Sequence, residues 1–244
     1  MDIHEPHAAK TWPEFFIELG TVVIGILIAL ALEQVVEWAH DRHRASEARE
    51  TIRAEVALNL SSLDGRASTE PCVSRRLDEA QALILEASAG KPDPGPIWIG
   101  HPLLLAMVDT RFRAATEGGE IKLLSPAEQA NYAAAYSSFL TFLDAEQREQ
   151  AAWSDLRALE QQAAMTPVAA WQLQSAIQQA RAARWTLEIT AFAARQATAA
   201  LGIKAEDAAK FKLASVCVPL HTPRAQALDM VIAGRPNHLV YDEP

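Results

Sequence analysis

The hydropathic pattern splits the chain into one uniformly apolar stretch and a series of segments with helical periodicity. Residues Leu19 to Leu32 carry no charge, and Phe15–Ile17 and Val35–Val36 lengthen this run to the roughly 20 apolar residues that cross a bilayer core. Trp12 and Trp38 flank it, about 39 Å apart along a helix. That is close to the full bilayer with its headgroups, where tryptophan belts lie. The pattern predicts one transmembrane helix over 11–38. Lys10 is the one lysine or arginine before it, and Glu33-Gln34-Val35 after it is no cleavage site, so a signal peptide fits poorly. A buried core helix is the stronger alternative.

Past the span, Ala45, Ala48, Ile52, Val56, Leu60 and Leu63 recur every three or four residues, predicting a stalk helix over 39–66 with a break at Asp64-Gly65. A second helix is expected from Thr69-Glu70-Pro71 to Gly90, with Leu77, Ala80, Leu83 and Ile84 inward. A proline-rich loop anchored by Trp98 follows, then a short helix over Pro102–Thr116 that Gly118-Gly119 ends. Thr11-Trp12-Pro13-Glu14 and Ser125-Pro126-Ala127-Glu128 both read as capping boxes, in which a hydroxyl and a carboxylate satisfy helix-starting amides. The second opens a helix to about Ala164, with Tyr132, Tyr136, Phe139, Leu140, Leu143 and Trp153 inward. Thr166-Pro167 opens another, ending at Gly202 in the left-handed position after a helix. Its Trp171 and Trp185 are assigned to the core. A shorter helix over Lys204–Val216 and a start signal at Thr222-Pro223 complete the pattern. The expected fold is all-α: a tail over 1–10, the membrane helix, the stalk, an antiparallel helical bundle over 67–218, and an irregular tail over 219–244.

Composition agrees, with alanine, leucine, glutamine, glutamate and arginine dominant and all favourable to helix. A net charge of −9 argues against a nucleic-acid partner. Cys72 and Cys217, the two cysteines, are either one disulfide in an oxidising compartment or two buried thiols.

Thr21, Gly25 and Ala29 lie four apart, a small-residue face of the kind that lets helices approach closely in lipid. Chance placement is the bland alternative. Glu18 and Glu33 fall about 10 and 12 Å from the span's midpoint at Gly25. They lie near or inside the apolar boundary, where a carboxyl is costly and often functional, unless a tilted span lets both reach headgroups. Glu37-Trp38-Ala39-His40 is a Glu-x-x-His, but no second copy exists, and di-iron bundles need two. His43, Arg42 and Arg44 complete a polar exit from the membrane. His101, His221 and His238 are isolated. Phosphate-loop, dinucleotide, nucleophile-elbow and zinc-protease signatures are missing. No cofactor, metal or catalytic residue is expected.

The segment Glu18–Leu30, ELGTVVIGILIAL, followed by Glu37-Trp38, resembles an uncharacterised family of bacterial single-span membrane proteins with a helical extramembrane region. The resemblance covers about the first sixty residues and implies architecture and little else; the expected location is the bacterial inner membrane, crossed once. Orientation has two readings. Arg42, Arg44, Arg49 and Arg53 follow the span, which by the positive-inside rule puts the bundle in the cytoplasm. The family's basic N-termini imply the opposite, and this chain departs from them in having Lys10 alone. Long domains translocate largely regardless of charge, and a periplasmic disulfide suits Cys72 and Cys217. A periplasmic bundle is the expectation. The expected function is a non-enzymatic scaffold or accessory subunit, contacting the lipid bilayer and either itself or another membrane protein. The alternative is a membrane-anchored ligand-binding or sensing module that signals through a partner protein.

Overall fold

The computed structural model describes residues 12–91, 94–161, 164–206 and 214–233. Among the described residues there are six α-helices, three short 3-10 turns and no strand. The helices are α1 (Trp12–Ser68), α2 (Glu70–Ser88), α3 (Thr110–Glu117), α4 (Pro126–Leu156), α5 (Pro167–Ala200) and α6 (Arg224–Ala233). The all-α class is as expected. The tail 1–10, the cap at Thr11 and His238 lie outside the described residues.

Helix α1 is one element of 57 residues. It runs through Asp64-Gly65 instead of breaking there, because Leu60, Leu63 and Arg66 on either side are held in the interior. A helical glycine costs only about 1 kcal/mol, which this burial outweighs. The segment expected as a stalk is, from Ala45 to Leu63, one wall of the bundle. Thr69 then interrupts the helix for one residue and α2 continues beyond it.

The interior has two storeys. The lower joins the second half of α1 to the start of α4 and the end of α5, around Ile52, Tyr132, Phe139 and Ala194. The upper joins α2 to the end of α4 and the start of α5, around Leu77, Trp153, Leu156 and Ile177. Helices α4 and α5 form the most extensive pair. Buried Ala176, Ala180, Ala183, Ala191 and Ala194 let their backbones approach closely.

Cross-links between the helices give their directions. Arg49 meets Glu128 at 2.6 Å, Tyr136 donates to Glu55 at 2.6 Å, and Arg66 meets Glu149 at 2.7 Å. Both series ascend, so α1 and α4 run the same way. Arg53 donates to the Leu201 carbonyl at 2.8 Å while Arg195 reaches back to Asp64 at 2.8 Å, so α5 runs against α1. Helix α5 is thus antiparallel to its neighbours, while α1, expected outside the bundle as a stalk, joins it parallel to α4.

The parallel pair is made possible by a long return crossing. Residues 94–109 form an extended strap and not the expected helix from Pro102; only Thr110–Glu117 is helical. The Ser125 capping box is formed, with Glu128 N–H donating to Ser125 Oγ at 3.3 Å. Helix α4 stops at Leu156 and passes into a 3-10 turn over Arg157–Gln161. Thr166 caps α5, and Gly202 follows it at φ +64, a conformation that favours glycine. Of the helix expected over Lys204–Val216, 207–213 lies outside the described residues, Ile203–Glu206 is not helical, and Ser215–Cys217 is a 3-10 turn. The tail expected to be irregular contains α6.

Candidate functional site

The first half of α1 stands clear of everything else. An 18-residue window within it is apolar and long enough to cross a membrane, and none of it is buried. A core helix would be mostly covered, so the main alternative reading of this segment loses its support. At the N-terminal end, Trp12 clusters with Phe15 and Phe16, ring centroids 6.3 and 6.0 Å away. At the other end the Arg42 guanidinium lies over the Trp38 ring at 5.4 Å. Each tryptophan thus belongs to a local group of the aromatic and cationic side chains that suit a headgroup layer.

Gly25 is open on all sides, since an added Cβ would meet nothing within 4 Å. Thr21 turns its hydroxyl back to donate to the Ile17 carbonyl at 2.9 Å, so it presents a methyl and a satisfied hydroxyl. Glu18 and Glu33 are exposed. At 3.6 residues per turn, Gly25 lies about 180° around the helix from Ile52. The Thr21–Gly25–Ala29 face therefore points away from the side of α1 that carries the bundle. His40 and His43 are exposed, and no cluster of three or more potential metal ligands occurs among the described residues.

Cys72 and Cys217 are bonded, joining α2 to the segment before α6 across 145 residues. One turn along α2, Arg76 is fully buried. It donates to the carbonyls of Trp98, Ile99 (2.8 Å) and Val218 and to Glu79 at 2.7 Å. A guanidinium offers five donors in a rigid fork, and here it ties two non-helical segments to one helix.

Other buried polar side chains do the same for the strap, whose extended backbone has no sheet to bond to. Glu160 accepts from the amides of Ile99 and Gly100 at 3.0 and 3.3 Å. Glu146 accepts from Leu105 at 3.1 Å. Asn59 donates to the Val108 carbonyl at 2.8 Å and accepts from its amide at 2.9 Å. Glu55 accepts from Arg111 and Phe112 at 2.8 and 3.2 Å and from the Thr110 hydroxyl at 3.0 Å, capping α3 from a different helix. Gly100 has φ +66, and a Cβ there would strike Ser215, so the strap needs glycine at that point on two counts.

The joint between α1 and α2 holds an ionic cluster of Arg66, Glu70, Glu149, Arg184 and Glu188. Burial pushes the Glu149 and Glu70 carboxyls upward against the pull of Arg66. Burial raises Glu146 to about 7. Out on the surface, the hydrogen bond from Arg49 lowers Glu128 to about 2. These buried carboxylates hold backbone amides or an arginine, which is a structural use of charge. Sequence reasoning missed Glu55, Asn59, Arg66, Glu146 and Glu149, and its reading of Arg75-Arg76 as a solvated pair fails for Arg76, which the carbonyls of two loops draw into the interior. A signal existed: Glu146 and Glu149 fall in phase with Tyr132, Tyr136, Phe139, Phe142 and Trp153 on the buried stripe of α4.

Trp171 and Trp185, assigned to the core from their spacing, are instead 69% and 66% exposed, and Leu140 is exposed as well. Tyr132 and Tyr136 are buried. A surface groove lined by Arg157, Glu160, Trp171, Gln172 and Arg224 runs beside the first turns of α5. No protein-family model, curated protein or solved structure matches this chain.

Proposed function

We propose that this chain is a non-enzymatic, single-pass bacterial inner-membrane protein whose helical bundle faces the periplasm and serves as an oligomeric scaffold or accessory subunit. One observation carries the reading: α1 is a single helix whose first half is apolar and bare and whose second half is a wall of the core. Anchor and domain share one continuous helix, so the span fixes the bundle's height above the membrane and its rotation relative to the Gly25 face. The Cys72–Cys217 bond supports the periplasmic side, since such bonds persist where thiols are not kept reduced. Within the bilayer, Thr21, Gly25 and Ala29 would form the helix contact, and Glu18 and Glu33 would fix its register or partner by hydrogen bonding.

The test has two parts. Cysteine reporters beyond α6 are expected to react with an impermeant maleimide in intact spheroplasts. Labelling that requires lysis would reverse the orientation. The full chain in mild detergent is expected to run as a multiple of 26.6 kDa, alone or with co-purifying subunits, and Gly25→Leu is expected to reduce that mass. A chain that is monomeric and without partners, with or without the substitution, would sink the assembly reading.

A further inference from the structure

We propose that the outward face of α5 is a parallel docking seam for a second copy of this chain anchored in the same membrane. The inference rests on the oligomeric reading above and names a contact other than the one at Gly25. Val168, Trp171, Trp185, Ile189 and Phe192 are all exposed large side chains on α5, three of them aromatic at 63–69%. Their spacings are multiples and sums of three and four. Ser175, Gln178 and Ala182 fill the intervening places, and Gln196 and Ala199 extend the line. Together they make an alternating three-four repeat along the whole 34-residue helix, the seam of a coiled coil. Ordinary amphipathic helices carry one apolar stripe; α5 carries a second one, opposite its buried alanines.

The flanks of the seam say what fits it. On one side lie Arg181, Glu188 and Arg195, each already paired within the chain to Asp78, Arg184 and Asp64. On the other lie Gln172, Gln179, Thr186 and Ala193, all uncharged. In a parallel pair each charged flank meets an uncharged one, so no like charges are opposed and no foreign charge pattern is solicited. Gln178 and Gln196 would meet their own copies, and a polar pair at such a place fixes register. The five apolar side chains offer about 600 Å² per copy, close to the roughly 800 Å² per partner of a stable interface once the flanks are added. Anchoring completes the argument. Helix α5 lies alongside α1, so copies in one membrane present Trp171, Trp185 and Phe192 at equal heights and in the same direction. The seam lies on the bundle side of α1 and the Gly25 face on the other, so one does not obstruct the other.

Single cysteines at Ser175 and Gln196, near opposite ends of the seam, test this in native membranes of the full chain; the two natural cysteines are bonded to each other. With a mild oxidant, Ser175→Cys and Gln196→Cys are each expected to shift most of the chain to twice 26.6 kDa. Ser137→Cys on the exposed side of α4 is expected to stay monomeric. Adding Trp185→Glu, on an exposed side chain that the fold does not need, is expected to abolish the shift. Absence of the shift at both positions overturns the seam, as does a product of another mass, or one formed only when Ser175→Cys is mixed with Phe192→Cys, which reports antiparallel pairing. The same samples are fractionated. A chain in the membrane pellet without the shift sinks the seam and leaves the anchor standing; a chain in the supernatant sinks the anchor, and the band at Ser175 still reads the seam.

Discussion

Arg66 and Glu149 meet as a two-point ion pair inside the bundle, one guanidinium nitrogen lying 2.7 and 2.8 Å from the two carboxylate oxygens, with the side chains 4% and 1% exposed. Arg66 sits at the last turn of α1, where the first storey of the core gives way to the second. A buried pair contributes little net stability over well-packed apolar residues, but losing one partner leaves a bare charge. Arg66→Met is therefore expected to destabilise the chain by about 3–5 kcal/mol. Arg66→Met with Glu149→Leu is expected to recover most of that. Chemical denaturation of the two variants in detergent measures both. A double variant as unstable as the single would mean the pair supplies more than mutual neutralisation.

Acidity should stabilise this protein over a defined range. Glu146 is raised by burial to about 7 from 4.5, so the folded state holds a proton that the unfolded chain has released. Its contribution is fully present below about 4.5 and is lost as pH rises through 7. Glu149 and Glu70 shift in the same direction for the same cause. Each pH unit inside the window is worth up to about 1.4 kcal/mol for Glu146. Melting temperatures are expected to fall between pH 5 and 8, and Glu146→Gln is expected to flatten the fall. Below that window the sign reverses, because Glu128 is lowered to about 2 and the stability it contributes is lost as pH drops toward that value.

The strap gives a local counterpart. Asn59 satisfies both backbone groups of Val108, and Asn59→Leu keeps the volume while orphaning them. A cost of about 2–3 kcal/mol is expected for the unmet groups. Amide exchange is expected to accelerate over 103–109 and stay slow in α4. Uniform acceleration across the bundle would show that the strap does not open separately.

Helix starts and stops were legible where local chemistry decides them: Ser125 with Glu128, Thr166 before Pro167, and Gly202 after α5. The strap was not legible, because the groups that hold residues 99–108 extended belong to Asn59, Glu146 and Glu160, distant in sequence. Asp64-Gly65 looked like a break because local propensity is blind to the burial of Leu63 and Arg66 around it. Spacing alone places the tryptophans of α5 inward, because helical periodicity identifies a stripe but not which of two stripes faces the core. Here the alanine stripe does, and it brings α5 close to α4. At the candidate site, the bare apolar helix and its flanking tryptophans are readable from hydropathy and spacing. The exposed apolar stripe on α5 is recognisable only once the other side of the helix is seen to be covered.

The segment before α6 bonds to the strap through Val216 N–H to the His101 carbonyl at 3.1 Å, Trp98 N–H to the Leu220 carbonyl at 2.7 Å and the Trp98 indole N–H to the Ser215 carbonyl at 3.0 Å, and two further ties to α2 should fail differently. The Cys72–Cys217 bond spans 145 residues and restricts the unfolded chain, an effect of roughly 2–4 kcal/mol. Arg76, one turn further along α2, acts on the folded state by satisfying the carbonyls of Trp98, Ile99 and Val218. Replacing both cysteines by serine is expected to lower the midpoint of unfolding while residues 214–218 remain protected from exchange in the native state, because Arg76 still holds Val218 and the strap that Arg76 fixes at Trp98 and Ile99 still bonds Ser215 and Val216. Arg76→Met is expected to release those residues and the strap at Trp98 together, at a cost above that of the missing bond, since three buried carbonyls lose their donor. Protection factors for Val216 and Ile99 measured in both variants decide the matter. Loss of protection at Val216 in the serine variant with Arg76 intact would make the disulfide, and not the guanidinium, the tie that holds the folded segment.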